Sequence, residues 1–106
     1  MARTVVVSEA AETDLYELYT YIARHDAPER AQQVVRRIEQ IIASLSTSPE
    51  RGAVLPEFAA KVGEYREVFF KPYRIVYKVL SREVLVLLVA DGRRDMETLL
   101  QRRLLA

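Results

Sequence analysis

The segment 65–95 constrains the fold most, because three stretches with strand character follow one another there. In the second stretch, Tyr73–Val79, cations occupy alternate positions at Arg74 and Lys78. Since successive side chains of a strand point to opposite faces, this strand is predicted to turn cations to one face and apolar side chains to the other. The third stretch, Val84–Ala90, is apolar throughout, which is typical of a central strand covered on both faces.

The first half of the chain predicts a short strand followed by a helix. Residues Arg3–Val7 are mainly β-branched, and Ser8 follows them as a candidate N-cap. Helical spacing then relates the apolar side chains Leu15, Leu18, Tyr19 and Ile22. This helix is expected to end near His25, which is predicted to be exposed there.

A second helix is predicted to begin directly after the first. Asp26 is its candidate cap, and Pro28 fits its first turn. Its buried stripe comprises Ala31, Val34, Val35, Ile38, Ile42 and Leu45. The sequence Ser46–Pro49 ends this helix, so the two helices should form an antiparallel hairpin. Packing within the hairpin is the predicted role of Tyr16, Tyr19 and Tyr21.

The rest of the chain completes a single α+β domain over residues 1–106. Residues 48–63 are predicted to form a loop with a helical turn near Phe58, and Tyr65–Phe70 is the first of the three strands. Apolar residues that share one stripe predict a short C-terminal helix: Met96, Leu99, Leu100 and Leu104. The predicted order is β-α-α-β-β-β-α, with the helix hairpin on one face of a mainly antiparallel sheet. Arg74 and Lys78 are expected on the opposite, open face.

Composition excludes several kinds of function. Lys and Arg number 16 against 15 Asp and Glu, a formal net charge of +1 that argues against binding nucleic acid through the overall field. The chain has no cysteine and a single histidine, so thiol catalysis and cysteine-based zinc sites are excluded, and no metal or cofactor is expected. Because no apolar run is long enough to span a bilayer, the expected compartment is the cytoplasm and no membrane partner is predicted.

The order of these motifs resembles the ParE/RelE superfamily, the toxin half of bacterial type II toxin–antitoxin pairs. The resemblance covers nearly the whole chain: the first strand, the helix hairpin, the Ser-Pro-x-x-Gly loop at Ser48–Gly52, the YRIVYKV strand and the VLVLLVADGRRD ending. The GRRD ending and the leucine-rich segment after it are most similar to the ParE branch. Members of that branch are understood to poison DNA gyrase, and a ParD-like antitoxin neutralises them. The resemblance implies a RelE/ParE-like fold and these two partners, with operator DNA bound only through the antitoxin.

The nuclease branch of the superfamily implies a rival function, which is cleavage of mRNA on the ribosome. Such cleavage needs a cation at the phosphate and groups that transfer protons. The resemblance places Arg74 at the phosphate, but no His or Tyr follows Ala90 to take part in proton transfer. The sequence therefore favours a binding protein with no catalytic residue. If the protein is a nuclease, the candidates are Arg74, Lys61 and Lys71.

The predicted contact residues also have structural interpretations. Target contact is predicted for four cations: Arg74, Lys78, Arg93 and Arg94. The first two could instead solvate an open sheet face, and one of the last two could fix the final turn by pairing with Asp91 or Asp95. Antitoxin contact is predicted for the apolar C-terminal stripe: Met96, Leu99, Leu100 and Leu104. This stripe fits the helix-in-groove mode of recognition, but it could equally close the core.

Overall fold

A computed structural model describes residues 2–55 and 65–104 of the chain. The elements in chain order are β1 (Thr4–Val7), α1 (Glu9–His25), α2 (Pro28–Ser44), β2 (Ala53–Val54), β3 (Tyr65–Phe70), β4 (Tyr73–Val79), β5 (Glu83–Asp91) and α3 (Met96–Leu104). The strands form one five-stranded sheet in the order β1-β5-β4-β3-β2. Strand β1 is parallel to β5, and the other neighbours are antiparallel. The predicted α+β class and mainly antiparallel sheet are confirmed.

One element was not predicted, and one prediction cannot be compared with the structure. The short strand β2 lies in the region expected to be a loop, where it pairs with Arg66 and Glu67 of β3. Two residues of Gly-flanked sequence are too short to show strand periodicity, so the pattern gave no signal. The helical turn predicted near Phe58 lies outside the described residues.

Both helices begin close to the predicted positions, but only one has the predicted cap. The Ser8 hydroxyl accepts a hydrogen bond from the Ala11 N–H at 3.1 Å, as an N-cap does. The Asp26 cap is wrong: Ala27 occupies the N-cap of α2 without a side-chain bond. Asp26 still belongs to the end of α1, because its N–H donates to the Ile22 carbonyl at 2.8 Å. None of the described helices is long and apolar enough to cross a bilayer.

The tyrosines of α1 divide between the core and the surface. Tyr19 packs against the main core as predicted. The prediction for Tyr16 and Tyr21 is wrong, because their exposed fractions are 72% and 61%. Tyr21 instead stacks on His25, with 4.1 Å between the ring centroids. His25 is exposed at the helix end, as expected.

Each face of the sheet has its own apolar cluster. The hairpin face, covered by α1 and α2, buries Ile75 and Tyr77. The second face, covered in part by α3, buries Val76 between them in sequence, so the predicted alternation of β4 is confirmed. Burial of each Leu- or Ile-sized side chain contributes about 1.5–3 kcal/mol, so both clusters stabilise the fold.

A β-bulge in β5 decides which of its apolar side chains faces which cluster. Val76 pairs with Leu88 whereas Tyr77 pairs with Val86, so Leu87 is an extra residue. Val86 therefore faces the hairpin cluster, while Leu88, two residues further, faces the second cluster. The central, doubly covered strand predicted from its apolar sequence is confirmed, and the bulge is the detail that a uniformly apolar run conceals.

The bulge also turns backbone groups of β5 outward beyond the end of β1, and an ion pair satisfies them. Asp14 of α1 accepts the Val89 N–H at 3.0 Å, and Arg103 of α3 donates to the Leu87 carbonyl at 2.9 Å. The two side chains also bind each other through two parallel hydrogen bonds of 2.8 and 3.0 Å. This Asp14–Arg103 pair closes the exposed edge and ties the hairpin to α3.

A buried tyrosine holds the Ser-Pro-x-x-Gly loop against the sheet. The Tyr77 hydroxyl donates to the Pro49 carbonyl at 2.7 Å and accepts from the Gly52 N–H at 3.0 Å. A Cβ on residue 52 would lie 2.5 Å from that hydroxyl and 2.6 Å from the Glu67 carbonyl oxygen. Glycine is therefore required at position 52, because any side chain there would collide with Tyr77 and with the backbone of β3.

Replacing Tyr77→Phe is expected to lower the free energy of unfolding by about 1–3 kcal/mol, because a buried donor and a buried acceptor lose their partner. Urea denaturation measures the change. Tyr16→Phe is the matched control and should change stability by less than about 0.5 kcal/mol, because Tyr16 is exposed. Equal effects of the two substitutions would contradict the role given to the Tyr77 hydroxyl.

Replacing Arg103→Gln is expected to loosen α3 from the sheet, because the Asp14–Arg103 pair loses its charge-assisted bonds. Hydrogen exchange should accelerate at the amides of α3 and of Val89, but not at Val76 in the centre of the sheet. Arg102→Gln removes an exposed cation from the same last turn of α3 and controls for the helix dipole. If both variants exchange alike, the pair does not hold α3.

Candidate functional site

Arg74 is buried on the second face, so the prediction that it lies on an open face is wrong. Its side chain is 11% exposed, and its Nε and Nη2 atoms both lie 2.5 Å from Oε1 of Glu67. Glu67 is also buried, with 4% of its surface exposed. Much of the charge of Arg74 is therefore neutralised inside the protein, and its guanidinium is not a free anion-binding group.

The strand register and a glycine together create this buried pair. In the β3–β4 hairpin Arg74 lies opposite Phe69, and Glu67 is two residues along on the same strand as Phe69. Such diagonal neighbours lie within reach of long side chains. On the other side, a Cβ at Gly92 would lie 3.0 Å from Cδ of Arg74, and the Gly92 N–H donates to the Pro72 carbonyl at 2.7 Å. The absence of a side chain at residue 92 leaves room for the aliphatic part of Arg74.

A shallow depression of about 510 Å³ lies over the buried pair. Its lining comprises Glu67, Phe69, Lys71, Pro72, Arg74, Gly92 and Arg93. Phe69 is 53% exposed, and Lys71 and Arg93 are exposed cations. The depression thus combines an aromatic ring with two accessible positive charges, an arrangement suited to contact with an acidic partner surface.

Within this depression, groups suited to proton transfer at neutral pH are scarce. Its ionisable side chains are Glu67, Lys71, Arg74 and Arg93, and none is a His or Tyr. Lys61, the other predicted catalytic candidate, lies outside the described residues. Among the described residues, no group of three or more His, Asp or Glu side chains is arranged to hold a metal ion.

The two arginines after β5 have different environments. Arg93 forms a forked pair with Asp91, with Nε 2.9 Å from Oδ1 and Nη2 2.5 Å from Oδ2. Hydrogen bonding from Arg93 lowers the pKa of Asp91 below its ordinary value. The Arg94 side chain is exposed, and only its backbone N–H bonds to Asp91, at 3.1 Å from the carbonyl. The pairing with Asp91 that the sequence left open therefore belongs to Arg93, and target contact by Arg93 and by Arg94 stays a prediction.

Lys78 is half-buried, and its ammonium lies 5.3 Å from the centroid of the Tyr65 ring. The two residues are direct neighbours across β3 and β4. Such a cation–π contact holds the side chain against the sheet. Unlike Arg74, Lys78 is thus still partly accessible on the face where it was predicted, and its role in target contact stays a prediction.

The apolar stripe of α3 closes the core of the second face. Met96 and Leu100 have exposed fractions of 6% and 0%, and Leu99 and Leu104 are partly buried against the same cluster. Antitoxin contact through Met96 and Leu100 would require α3 to leave the sheet, whereas Leu99 and Leu104 are partly accessible where they lie. Contact of the stripe with an antitoxin remains a prediction. The sequence analysis did not name the residue that caps this helix, Asp95, which accepts hydrogen bonds from the N–H and hydroxyl of Thr98. The Asp-x-x-Thr spacing is the signal that could have identified it.

A second concavity of about 480 Å³ lies between α1 and the end of β5. It joins acidic side chains of α1, among them Glu17, to Arg93 and Arg94, with Tyr21 and Tyr73 between them. Burial and then the Asp91 carboxylate raise the pKa of Tyr73, so this phenol stays protonated near neutral pH. The two concavities meet at Arg93, which makes the end of β5 the most cation-rich and accessible part of the described site.

Known proteins with similar structures share this architecture. The chromosomal ParDE toxin–antitoxin system of P. aeruginosa contains a chain with a TM-score of 0.72 and 21% identity, covering 85% of this chain and 96% of that one. The RelBE2 toxin–antitoxin complex of Mycobacterium tuberculosis gives 0.63 and 21%, covering 86% and 99%. A mutant of the E. coli toxin RelE in the free state gives 0.64 and 16%, covering 92% of each chain. At these identities the similarity shows the fold.

The family assignment comes from the sequence itself. No curated protein matches the chain. The model of the family described as the ParE toxin of the type II toxin–antitoxin system parDE matches residues 5–96. That match includes most of β1, the helix hairpin, the buried Arg74–Glu67 pair and the Asp91–Arg93 turn. The chain is therefore a member of the ParE toxin family of type II toxin–antitoxin systems.

Proposed function

We propose that this toxin acts by binding DNA gyrase and stalling it, and that a ParD-like antitoxin neutralises it in the cytoplasm. Membership of the ParE family supports the proposal, because the ParE branch is understood to act on gyrase. The observation that carries it is the buried Arg74–Glu67 pair. The residue that a nuclease would use to hold phosphate is here committed to a carboxylate within the fold.

The buried Arg74–Glu67 pair is poorly suited to the chemistry of RNA cleavage. A pentavalent phosphate carries extra negative charge in the transition state, and its stabilisation requires donors that are aimed at it and are not otherwise engaged. Arg74 directs both Nε and Nη2 to Glu67, and only 11% of its side chain is exposed. Moving it away from Glu67 would break a buried ion pair, which is strongly unfavourable.

The exposed cations around the depression are the proposed gyrase-binding groups. Arg94 and Lys71 are exposed, and Arg93 is held in place by Asp91 with 78% of its side chain exposed. Phe69 adds an accessible aromatic ring to the same depression. Arginine and aromatic side chains are over-represented among the residues that dominate binding energy at interfaces. Arg74 supports this surface from beneath, and Lys78 is a further proposed contact, outside the lining of the depression.

A gyrase supercoiling assay with the purified toxin tests the proposal. The wild-type protein is expected to inhibit supercoiling and to trap cleaved DNA. The Lys71→Gln/Arg94→Gln variant should need about tenfold more protein for the same inhibition, because two exposed contacts contribute about 0.5–1 kcal/mol each.

The matched control for that assay is Arg36→Gln/Arg37→Gln. It removes the same charge from exposed positions of α2, away from the depression. Inhibition should be unchanged by this control. Normal gyrase activity at an excess of wild-type toxin, with no cleaved DNA trapped, would exclude the gyrase proposal. Cuts in translated mRNA after induction would favour the nuclease instead.

The buried pair offers a separate test of whether Arg74 is structural or catalytic. Glu67→Gln alone is expected to destabilise the protein by about 3–5 kcal/mol, because it removes one charge of a buried ion pair and keeps the other. Glu67→Gln/Arg74→Gln removes both charges and should recover a large part of that loss. Growth inhibition by the double variant at a temperature where it is folded is the expected result. A folded but harmless double variant would show that Arg74 acts on the target.

The proposed antitoxin is a separate chain that binds the toxin and carries the operator-binding activity of the pair. Its gene is expected next to the toxin gene, and its co-expression should restore growth. The toxin alone should not bind operator DNA, since its net charge is close to zero. Growth arrest that persists with the neighbouring gene expressed would count against this partner.

A further inference from the structure

The outer edge of β1 has open backbone groups. The Thr4 N–H donates to the Arg82 carbonyl at 3.1 Å, and the Ser8 N–H to the Val86 carbonyl at 2.9 Å. Even-numbered residues of β1 therefore direct their backbone groups to β5, and the alternation of a strand directs those of Val5 and Val7 away from the sheet. Within residues 2–55 and 65–104, no group bonds to the outward N–H or carbonyl of either valine.

The openness is confined to these two residues. At the start of the strand, the Arg3 N–H donates to the Ser46 carbonyl at 2.9 Å, and the Ser46 hydroxyl donates to the Arg3 carbonyl at 2.7 Å. Further along the same side of the sheet, the Asp14–Arg103 pair closes β5. An open edge is a template for pairing with another chain, and here it lies between two closed stretches.

An apolar cleft adjoins this open edge on the hairpin face. Its volume is about 470 Å³, and its apolar lining comprises Val5, Val7, Leu15, Ile42 and Ala43. The remaining lining residues are Glu12 of α1 and Glu39 of α2, both exposed. In the described part of the chain neither glutamate forms an ion pair. The cleft therefore offers an apolar floor with two free negative charges at its walls.

We infer that the outer edge of β1 binds an extended, basic segment of a partner chain as an additional strand of the sheet. Main-chain hydrogen bonds to Val5 and Val7 supply affinity, and an apolar side chain of the segment enters the cleft. Lys or Arg side chains that flank it pair with Glu12 and Glu39. The inference rests on the antitoxin half of the proposed function, since a partner chain is required, and it is independent of the gyrase half.

A second copy of the toxin fits this edge less well. Pairing two β1 strands would bring the Glu12 and Glu39 carboxylates of one copy towards those of the other, and like charges disfavour such a contact. The charge of the cleft thus selects a basic partner segment. Self-association remains a measurable alternative.

Nuclear magnetic resonance with a synthetic peptide tests the site directly. The probe alternates Val and Thr between terminal Lys residues, and a second peptide carries Glu in place of Lys. The basic peptide is expected to slow hydrogen exchange at the Val5 and Val7 amides by about tenfold or more, with little change at Val6, which already bonds to β5. Unchanged exchange at Val5 and Val7, or equal binding of the acidic peptide, would overturn the inference. Protection that rises with toxin concentration in the absence of peptide would also overturn it, in favour of a second copy.

Two pairs of variants separate charge from backbone pairing. Glu12→Gln/Glu39→Gln should weaken binding of the basic peptide about tenfold, as expected for two exposed ion pairs. Glu17→Gln/Glu29→Gln makes the same change of net charge at exposed positions outside the cleft, and it should leave affinity unchanged. Equal losses in the two variants would contradict a specific role for the cleft.

The backbone contribution is tested by Val5→Pro, which removes an outward N–H but no bond to β5. Proline is tolerated on edge strands for this reason, so the variant should fold and lose binding of the peptide. Val5→Thr keeps the N–H and the β-branched shape, and should retain binding. If Val5→Pro is unfolded by circular dichroism, the charge variants decide the question. A folded Val5→Pro protein with wild-type affinity would refute strand addition.

Discussion

The fold depends on covering β5, an apolar strand that needs protection on both faces and along one edge. The helix hairpin covers one face and α3 covers much of the other. The bulge at Leu87 distributes the side chains between them. The Asp14–Arg103 pair then closes the edge where β1 has ended. β1 can therefore be a short edge strand, because the ion pair forms hydrogen bonds with the part of the β5 edge that β1 does not reach.

The residues that cover the second face of the sheet change how the cations of β4 are interpreted. A strand with cations at its outward positions suggests a positively charged surface that binds an acidic partner. In the folded protein Glu67 and the Gly92 turn enclose Arg74, and Tyr65 lies beneath the Lys78 ammonium. The accessible positive charge is displaced to Lys71 and the end of β5. Binding of an acidic target therefore depends on the rim of this face and not on its centre.

Much of the architecture was predictable because local patterns and tertiary packing agree. The alternation in β4, the stripe of α2 and the Ser8 cap each predicted an element that the structure contains. Failures occurred where distant residues decide the outcome. Asp14 and Arg103 are 89 residues apart, so no local pattern could join them.

The candidate site was less predictable than the fold for the same reason. Strand alternation correctly placed Arg74 on the face opposite Tyr77, but it does not reveal what covers that face. The signal that was overlooked is Glu67, which occupies an alternate position of the preceding strand, in a hairpin that makes the two side chains diagonal neighbours. An acidic residue at that spacing from a strand arginine predicts a pair more readily than a free cation.

The central claim is that Arg74 is a buried, paired structural residue, and the exchange of its Nε proton measures this most directly. In a 15N spectrum of the folded toxin, the Arg74 Nε–H signal should exchange slowly and should not shift when inorganic phosphate or a short RNA is added. The Arg94 Nε–H signal, from an exposed side chain, should exchange fast and provides the internal reference. Fast exchange at Arg74, together with a shift on adding phosphate, would show an accessible anion-binding guanidinium and contradict the account.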